Sequence, residues 1–204
     1  KKTGYRMPTK IERQTALSKV GWGKIDLNIP ERTVRFTSPG MSIDPGGFGK
    51  GLAVDQAIMR LDALGIKSAM VKAGGDLRVL GLPPDKNHWA IQIEDPQKQG
   101  KRVTVTLRKG AMSTSGNYEN FFKANGKIYS HILNPRTGLP IQGMASCTVT
   151  APSCVETDTL ATACFVLGVT ESLKRFSTKI GMRFVTFDKK KMRIFKSKDF
   201  PASQ

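Results

Sequence analysis

One segment constrains the fold of this chain more than any other, because its pattern is typical of a helix with a polar face. Ser153 followed three residues later by Glu156 predicts a capping box. The apolar run 161–167 follows, and Gly168 ends it. On such a helix Asp158 and Thr162 lie four residues apart, so their oxygens face the same way. A carboxylate one turn below a hydroxyl suits Mg²⁺ better than zinc. The spacing alone leaves a solvated or capping role open for both side chains.

A glycine-rich loop precedes a second helical pattern. Four glycines fall between residues 46 and 51, and a helix is predicted over 52–64 with Gly65 as its stop. The glycine spacing matches neither a P-loop nor a dinucleotide-binding fingerprint, and a plain strand-to-helix turn is the alternative. Several glycines nevertheless let the main chain approach a ligand, and the start of the helix favours an anion. The loop residues concerned are Gly46, Gly47, Gly49 and Lys50.

Three further segments combine small or polar residues in patterns that can bind a ligand. Gly74-Gly75-Asp76 permits the close approach of a flat ligand, but it is also an ordinary turn. Residues 113–119 are dense in hydroxyls and either bond a phosphate or ribose or form a capped loop. His131 precedes an Asn-Pro-Arg-Thr-Gly turn, and it is either a core residue or a general base toward a hydroxyl nucleophile.

The rest of the chain predicts an α+β fold with a sheet-rich core and helices packed on it. Residues 89–93 and 103–107 alternate apolar and polar side chains, as half-buried strands do, whereas 68–72 predicts a buried strand. We expect a single domain over all 204 residues. The three cysteines have no zinc or disulfide spacing and are expected to be small buried apolar residues. The apolar face of the helix over 52–64 is predicted from Ala53, Ala57, Ile58, Leu61 and Leu64.

The formal net charge of +17 favours partners that carry phosphate. The basic residues are spread along the chain, and the densest group, within 189–198, is better explained as a solvated hairpin tip than as a nucleic-acid surface. No apolar run approaches the roughly 20 residues that a membrane-spanning helix needs. A basic flavin- or nucleic-acid-binding module without catalysis remains an alternative at this point.

Five segments occur in an order that carries a family resemblance. They are Asp44–Asp55, Ala73–Asp76, Thr114–Glu119, His131–Gly138 and Asp158–Thr162. In this order they resemble the FAD:protein FMN transferases, the ApbE family, and five motifs together are far more specific than any one of them. The resemblance implies an ApbE-like, T-fold-like domain in which this chain lacks the N-terminal part of the family.

The resemblance also implies a chemistry. Members split FAD and attach FMN through a phosphoester to a threonine or serine of a target protein, with Mg²⁺ and release of AMP. Carried over by position, Asp158, Thr162 and the carbonyl of Gly49 are metal ligands, and His131 with Asp158 is catalytic. His131 is then the base for the acceptor hydroxyl. The FAD contacts are expected from Gly46, Gly47, Gly49, Lys50, Gly74, Gly75, Asp76, Thr114, Ser115, Tyr118, Glu119 and His131.

Partners and location are implied by the same resemblance. The expected acceptor is a protein such as a respiratory or electron-transfer subunit, and no specific nucleic acid is expected. The family usually faces the periplasm on a lipid anchor at the inner membrane, although some members are cytosolic. A Mg²⁺-dependent FAD pyrophosphatase that gives free FMN and AMP is the catalytic alternative.

Overall fold

The chain folds into two compact units in the computed structural model, which describes residues 6–94, 102–117, 121–124, 127–188 and 191–202. The smaller unit comprises Lys1–Asp44 with Asn120–Gln142. The larger unit comprises Pro45–Glu119 with Gly143–Gln204. The expectation of one family domain over the whole chain stays a prediction.

Four helices and twelve strands are formed by the described residues. The helices are α1 (Lys10–Leu17), α2 (Gly49–Ala63), α3 (Cys154–Leu167) and α4 (Val169–Phe176). The strands are β1 (Ile25–Asn28), β2 (Thr33–Phe36), β3 (Ala69–Ala73), β4 (Asp76–Leu80), β5 (Trp89–Glu94), β6 (Arg102–Leu107), β7 (Gly110–Gly116), β8 (Phe121–Ala124), β9 (Lys127–Ser130), β10 (Met144–Ala151), β11 (Gly181–Asp188) and β12 (Lys191–Lys196). None of the described helices has the length and apolar character to cross a bilayer.

The smaller unit contains one helix and two hairpins. Helix α1 begins with a capping box, in which the Thr9 hydroxyl accepts from the Glu12 N–H and the Glu12 carboxylate accepts from the Thr9 N–H. Strands β1 and β2 pair antiparallel, and so do β8 and β9. The chain after β9 turns back on itself, because Leu133 and Pro140 form an isolated antiparallel bridge.

The larger unit is built around a six-stranded sheet in the order β12-β11-β10-β7-β4-β3. Every neighbouring pair is antiparallel, and β10 is buried along almost its whole length. Helices α2 and α3 cover one face, where Val54, Ala111 and Cys154 form a buried apolar cluster. The helix predicted to begin after Ser153 and to end before Gly168 is confirmed, and α2 begins three residues earlier than predicted.

The opposite face of the sheet is covered by the hairpin of β5 and β6. Leu77 and Met112 of the sheet pack there against Ile91 and Val105 of the hairpin, and Val105 is completely buried. Because neighbouring residues of a strand point to opposite faces, β4 and β7 each direct one row of side chains to the helices and one to the hairpin. This alternation decides on which side of the sheet each candidate residue lies.

Three expectations about local structure are wrong. Ser153 makes no side-chain capping bond, so the predicted capping box is absent from the start of α3. Strand β3 lies at the edge of the sheet with alternate residues exposed, because only β4 pairs with it there. The predicted apolar face of α2 included Leu64, which is 61% exposed. The buried positions of α2 are instead Gly51, Val54, Asp55 and Ile58.

Candidate functional site

The carboxylate predicted as a metal ligand, Asp158, is buried on the helix-covered face of the larger unit. Asp158 is only 3% exposed, and its Oδ2 accepts a hydrogen bond of 2.9 Å from the backbone N–H of Gly51. A Cβ at position 51 would collide with the carbonyl oxygen of Cys154 and lie 2.8 Å from the Asp158 Cβ. The first turn of α2 therefore lies directly against the first turns of α3, and only glycine allows this approach.

A lysine lies between two buried carboxylates at this point. The Lys50 Nζ is 3.2 Å from Asp76 Oδ2 and 3.6 Å from Asp158 Oδ1. Burial opposes the charge of Lys50, but the two carboxylates outweigh burial and raise its pKa above the ordinary value. Burial and the nearby Asp158 raise the pKa of Asp76, against the opposing bonds from Ser113 and Lys50. Two carboxylates beside one ammonium leave an excess of negative charge, which favours a further cation.

Two hydroxyl pairs attach α3 to β7. The Oγ of Ser115 is 3.0 Å from the Oγ1 of Thr162, and the Oγ of Ser113 is 2.7 Å from the Oγ1 of Thr157. Residues 113 and 115 are two apart on a strand, so both face the helix. Thr162, the second predicted metal ligand, lies on the same helix as Asp158, one turn beyond it. Its hydroxyl is bound to β7 through Ser115.

A carboxylate that the sequence did not single out, Asp55, binds the start of α3. Its Oδ1 accepts from the backbone N–H of Cys154 and its Oδ2 from that of Val155, both at 2.9 Å. Arg78 Nη1 donates to the same Oδ1 at 2.7 Å. Because Asp55 binds two N–H groups of the first turn, it supplies the cap that Ser153 was expected to provide.

A cavity of about 350 Å³ lies on the hairpin-covered side of the sheet, beside the turn that joins β3 and β4. Gly74 in this turn has φ +59°, a conformation that favours glycine, and a Cβ there would touch the side chain of Lys50 at 4.0 Å. The turn therefore borders the lysine on one side and the cavity on the other. The cavity is lined by Lys72, Gly74, Gly75, Leu77, Ile91, Gln92, Ile93, Glu94, Met112 and Thr114.

The residues of the glycine-rich loop lead into α2 as predicted. Gly46 and Gly47 form a short 3-10 turn, and Gly49 and Lys50 are the first two residues of the helix. The start of a helix carries unpaired N–H groups and a partial positive charge, so this arrangement suits an anion. The role of the Gly49 carbonyl as a metal ligand stays a prediction.

The hydroxyl-rich segment begins in the second half of β7, so it is a strand there rather than a loop. Thr114 points to the hairpin side and lies 3.0 Å from the Thr148 hydroxyl, whereas Ser115 points to α3. Two neighbours predicted to act together thus lie on opposite faces of the sheet. Tyr118 and Glu119, also predicted to contact FAD, lie outside the described residues.

The candidate base His131 belongs to the smaller unit. It comes directly after β9 and is exposed. The turn predicted after it is formed, because the Asn134 side chain accepts from the Arg136 N–H at 2.9 Å and Gly138 has φ +65°. Its role beside the pyrophosphate stays a prediction.

The donor atoms of the larger unit fit a hard divalent cation. Among the residues that the structure describes, no group of three or more His, Cys, Asp or Glu side chains is placed to hold a metal. The donors that the sequence predicts, namely the Asp158 carboxylate, the Thr162 hydroxyl and the Gly49 carbonyl, are all oxygens. Oxygen donors suit Mg²⁺, which keeps waters and substrate oxygens as its remaining ligands.

Curated relatives resemble this chain over most of its length. A FAD:protein FMN transferase of Rhodobacter capsulatus is 40% identical over 161 residues, which are 78% of this chain and 30% of the relative. A FAD:protein FMN transferase of Haemophilus influenzae is 35% identical over 175 residues, 83% of this chain and 51% of the relative. The chain therefore spans about half of these proteins or less.

Solved structures match the fold closely. The ApbE protein of Thermotoga maritima has a TM-score of 0.85 and 31% identity, over 95% of this chain and 63% of that one. The flavin transferase ApbE of Vibrio cholerae has a TM-score of 0.85 and 28% identity, over 98% of this chain and 64% of that one. The predicted ApbE-like α+β fold is confirmed. The model of the ApbE family matches residues 1–185, and the chain belongs to the ApbE family.

Proposed function

We propose that this chain carries the activity named for its relatives, the transfer of FMN from FAD to a protein. In this proposal the reaction needs Mg²⁺, the acceptor is a threonine or serine hydroxyl, and AMP is released. The observation that carries the proposal is the buried pair Asp76 and Asp158 around Lys50, at the start of a helix that comes after a glycine-rich turn. In this proposal a cation and a diphosphate bind side by side at this point.

The diphosphate of FAD would bind at the start of α2. The first N–H groups of the helix and the Lys50 ammonium both favour negative charge, and small residues there allow close approach. Asp158 and Thr162, with the Gly49 carbonyl, would hold Mg²⁺ beside it. When bound, Mg²⁺ neutralises charge on the phosphates and polarises the phosphorus that is attacked.

The flat parts of FAD need an apolar surface with few polar contacts. The cavity beside the β3–β4 turn offers such a surface, with Gly74, Gly75 and Thr114 along its wall. The turn also borders Lys50, so we propose that FAD extends from the cavity past this turn to the cation site. Gly46, Gly47, Asp76 and Ser115, with Tyr118 and Glu119, complete the proposed set of FAD contacts.

The chemical step is a displacement at phosphorus. The acceptor hydroxyl oxygen attacks the phosphorus of the FMN half, and the bond from that phosphorus to the bridging oxygen breaks. AMP leaves with the electron pair of that bond. The hydroxyl proton passes to His131, which we propose as the general base.

The test is to incubate the chain with FAD, Mg²⁺ and a candidate acceptor protein, then to look for flavin fluorescence on the acceptor in a denaturing gel. We expect Asp158→Ala to lower the labelling rate by about a hundredfold or more, since it removes a charged metal ligand. Asp62→Ala is the matched control, because Asp62 is an exposed aspartate of α2 that pairs only loosely with Lys67.

Each other outcome of this test is informative. Undiminished labelling by Asp158→Ala contradicts the metal assignment. Free FMN and AMP without labelled acceptor identifies the FAD pyrophosphatase instead. Salt-sensitive binding of unrelated nucleic acid without FAD turnover identifies the basic binding module.

The location and the acceptor are proposed from the family alone. We propose that the protein acts in the periplasm or at the inner membrane, with a lipid anchor on the full-length protein, on a respiratory or electron-transfer subunit. Fractionation of cells that express the full-length protein tests this placement, and recovery in the cytosolic fraction contradicts it.

A further inference from the structure

We infer that Asp55 is a positioning residue for the cation site, a role distinct from that of the ligands themselves. The inference rests on the proposed function, because the site it positions is the proposed Mg²⁺ site. Asp55 is only 6% exposed. The proposed ligand Asp158 accepts a hydrogen bond from the Gly51 N–H, on the same helix as Asp55. Asp55 itself contacts the N–H groups of Cys154 and Val155 and the guanidinium of Arg78.

Asp55 itself lies one helical turn from a group of the site, and so does one of its contacts. On α2, Asp55 comes four residues after Gly51, so the two share a face of the helix. On α3, Asp55 binds the N–H of Cys154, and Asp158 comes four residues after Cys154. The bond from Gly51 to Asp158 and the bond from Cys154 to Asp55 therefore join the same two helices one turn apart.

The third contact reaches the strand that carries the other buried carboxylate. Arg78 donates to Asp55 at 2.7 Å, and Arg78 comes two residues after Asp76 on β4. Residues two apart on a strand share a face, so Arg78 lies on the same side as Asp76. Asp76 in turn is 3.2 Å from Lys50 at the start of α2. One carboxylate thus joins all three elements that carry the site, namely α2, β4 and α3.

The chemistry of these contacts explains why an aspartate suits the position. Negative charge is favoured at the start of a helix, and a carboxylate accepts from two N–H groups and a guanidinium at once. Asparagine has only one oxygen and would turn an NH₂ group toward a donor, so it keeps part of the arrangement. Alanine leaves two helix N–H groups and Arg78 without this acceptor, so the first turn of α3 is free to shift away from α2.

The test separates positioning from general stability. The probe is Mn²⁺ bound to the full chain and measured by electron paramagnetic resonance, with Asp55→Ala, Asp55→Asn and Val105→Ala compared. Val105 is the matched control, because it is fully buried in the core on the opposite side of the sheet. We expect Asp55→Ala to raise the Mn²⁺ dissociation constant by about tenfold or more, and Asp55→Asn to raise it less. Val105→Ala lowers the melting temperature but leaves the dissociation constant unchanged.

Hydrogen exchange of the first turn of α3 is a second readout that needs no metal. We expect Asp55→Ala to accelerate exchange at Cys154 and Val155 more than Val105→Ala does. Unchanged Mn²⁺ affinity in Asp55→Ala, or an equal loss in Val105→Ala, overturns the positioning role. If the wild-type chain binds no Mn²⁺, the metal assignment of the proposed function fails. In that case the inference fails as well if Cys154 and Val155 exchange no faster in Asp55→Ala than in the control. Faster exchange would show that Asp55 orders the first turn of α3.

Discussion

The two faces of the six-stranded sheet bury different chemistry, although the same strands build both. On the hairpin side, β4 and β7 contribute Leu77 and Met112 to an apolar cluster. On the helix side, the alternate residues Asp76 and Ser113 lie next to each other in paired register and are buried too. A polar group removed from water destabilises the fold unless it finds partners, whereas apolar groups need only to be packed.

The difference shows how one sheet can provide stability and a site at once. The apolar row stabilises the sheet through burial, and this leaves the polar row free to be arranged for binding. The three described carboxylates that are buried on the helix side all have partners: Asp55 binds Arg78, and Lys50 lies beside both Asp76 and Asp158. Changes on the two faces should therefore separate stability from cation binding.

The largest effect is expected from Gly51→Ala, on the helix side. The added methyl group meets the Cys154 carbonyl and lies 2.8 Å from the Asp158 Cβ, so α2 and α3 must move apart. We expect a loss of about 2–3 kcal/mol in the free energy of unfolding and a fall in FMN transfer by about a hundredfold. Denaturant unfolding and the gel assay measure the two effects.

Two controls accompany this change. Gly23→Ala adds a methyl group with no atom within 4 Å of it, so it should change neither quantity. Val105→Ala on the hairpin side should lower stability by about 2 kcal/mol and leave Mn²⁺ affinity unchanged, because Asp158 lies on the other side of the sheet. Equal loss of Mn²⁺ affinity in Val105→Ala and Gly51→Ala would remove the proposed separation of the two faces.

A smaller effect is expected from Lys50→Met, which keeps the length of the side chain but not its charge. The Michaelis constant for FAD should rise by about tenfold, because a charged contact to the diphosphate is lost. Mn²⁺ should bind more tightly when FAD is absent, because no ammonium then competes for Asp76 and Asp158. Steady-state kinetics and Mn²⁺ titration measure the two changes.

Lys67→Met is the control, because Lys67 is an exposed lysine 3.8 Å from Asp62. It should leave both the Michaelis constant and Mn²⁺ binding as they are. Weaker Mn²⁺ binding in Lys50→Met would mean that the lysine supports the cation site and does not compete with a cation.

The smallest effect concerns Cys154, which is buried where the start of α3 packs against α2 and the sheet. Burial is the main cause that raises the pKa of its thiol to about 11, so at pH 8 the group stays protonated and does not react. We expect no alkylation of Cys154 by iodoacetamide at pH 8 in the folded chain, and complete alkylation after denaturation, by mass spectrometry. Alkylation in the folded chain would mean that α3 opens from α2.

Periodic patterns correctly predicted the helices and strands whose burial follows from their own local sequence. The bounds of α3 were indicated by its apolar run and by Gly168, and β5 and β6 by strict alternation. The cysteines were correctly expected to be buried. Asp158 and Thr162 were selected because their spacing of four residues is a local property of a helix.

The features that the sequence could not indicate depend on distant contacts. The cap of α3 comes from Asp55, 99 residues before Cys154, so the local Ser153 pattern was misleading. The buried face of α2 includes Gly51 and Asp55, which a search for apolar spacing leaves out. The edge position of β3 depends on the strand order, which the pattern of a single strand does not contain.

The function proposed for this chain depends on a divalent cation held on the helix side of the sheet by Asp158 and Thr162. Titration of the purified chain with Mn²⁺, monitored by electron paramagnetic resonance, tests it most directly when wild type is compared with Asp158→Asn. We predict one site per wild-type chain, displaced by Mg²⁺, and no such site in the variant. Equal Mn²⁺ binding by the two proteins, or none by the wild type, would mean that Asp158 does not hold a cation.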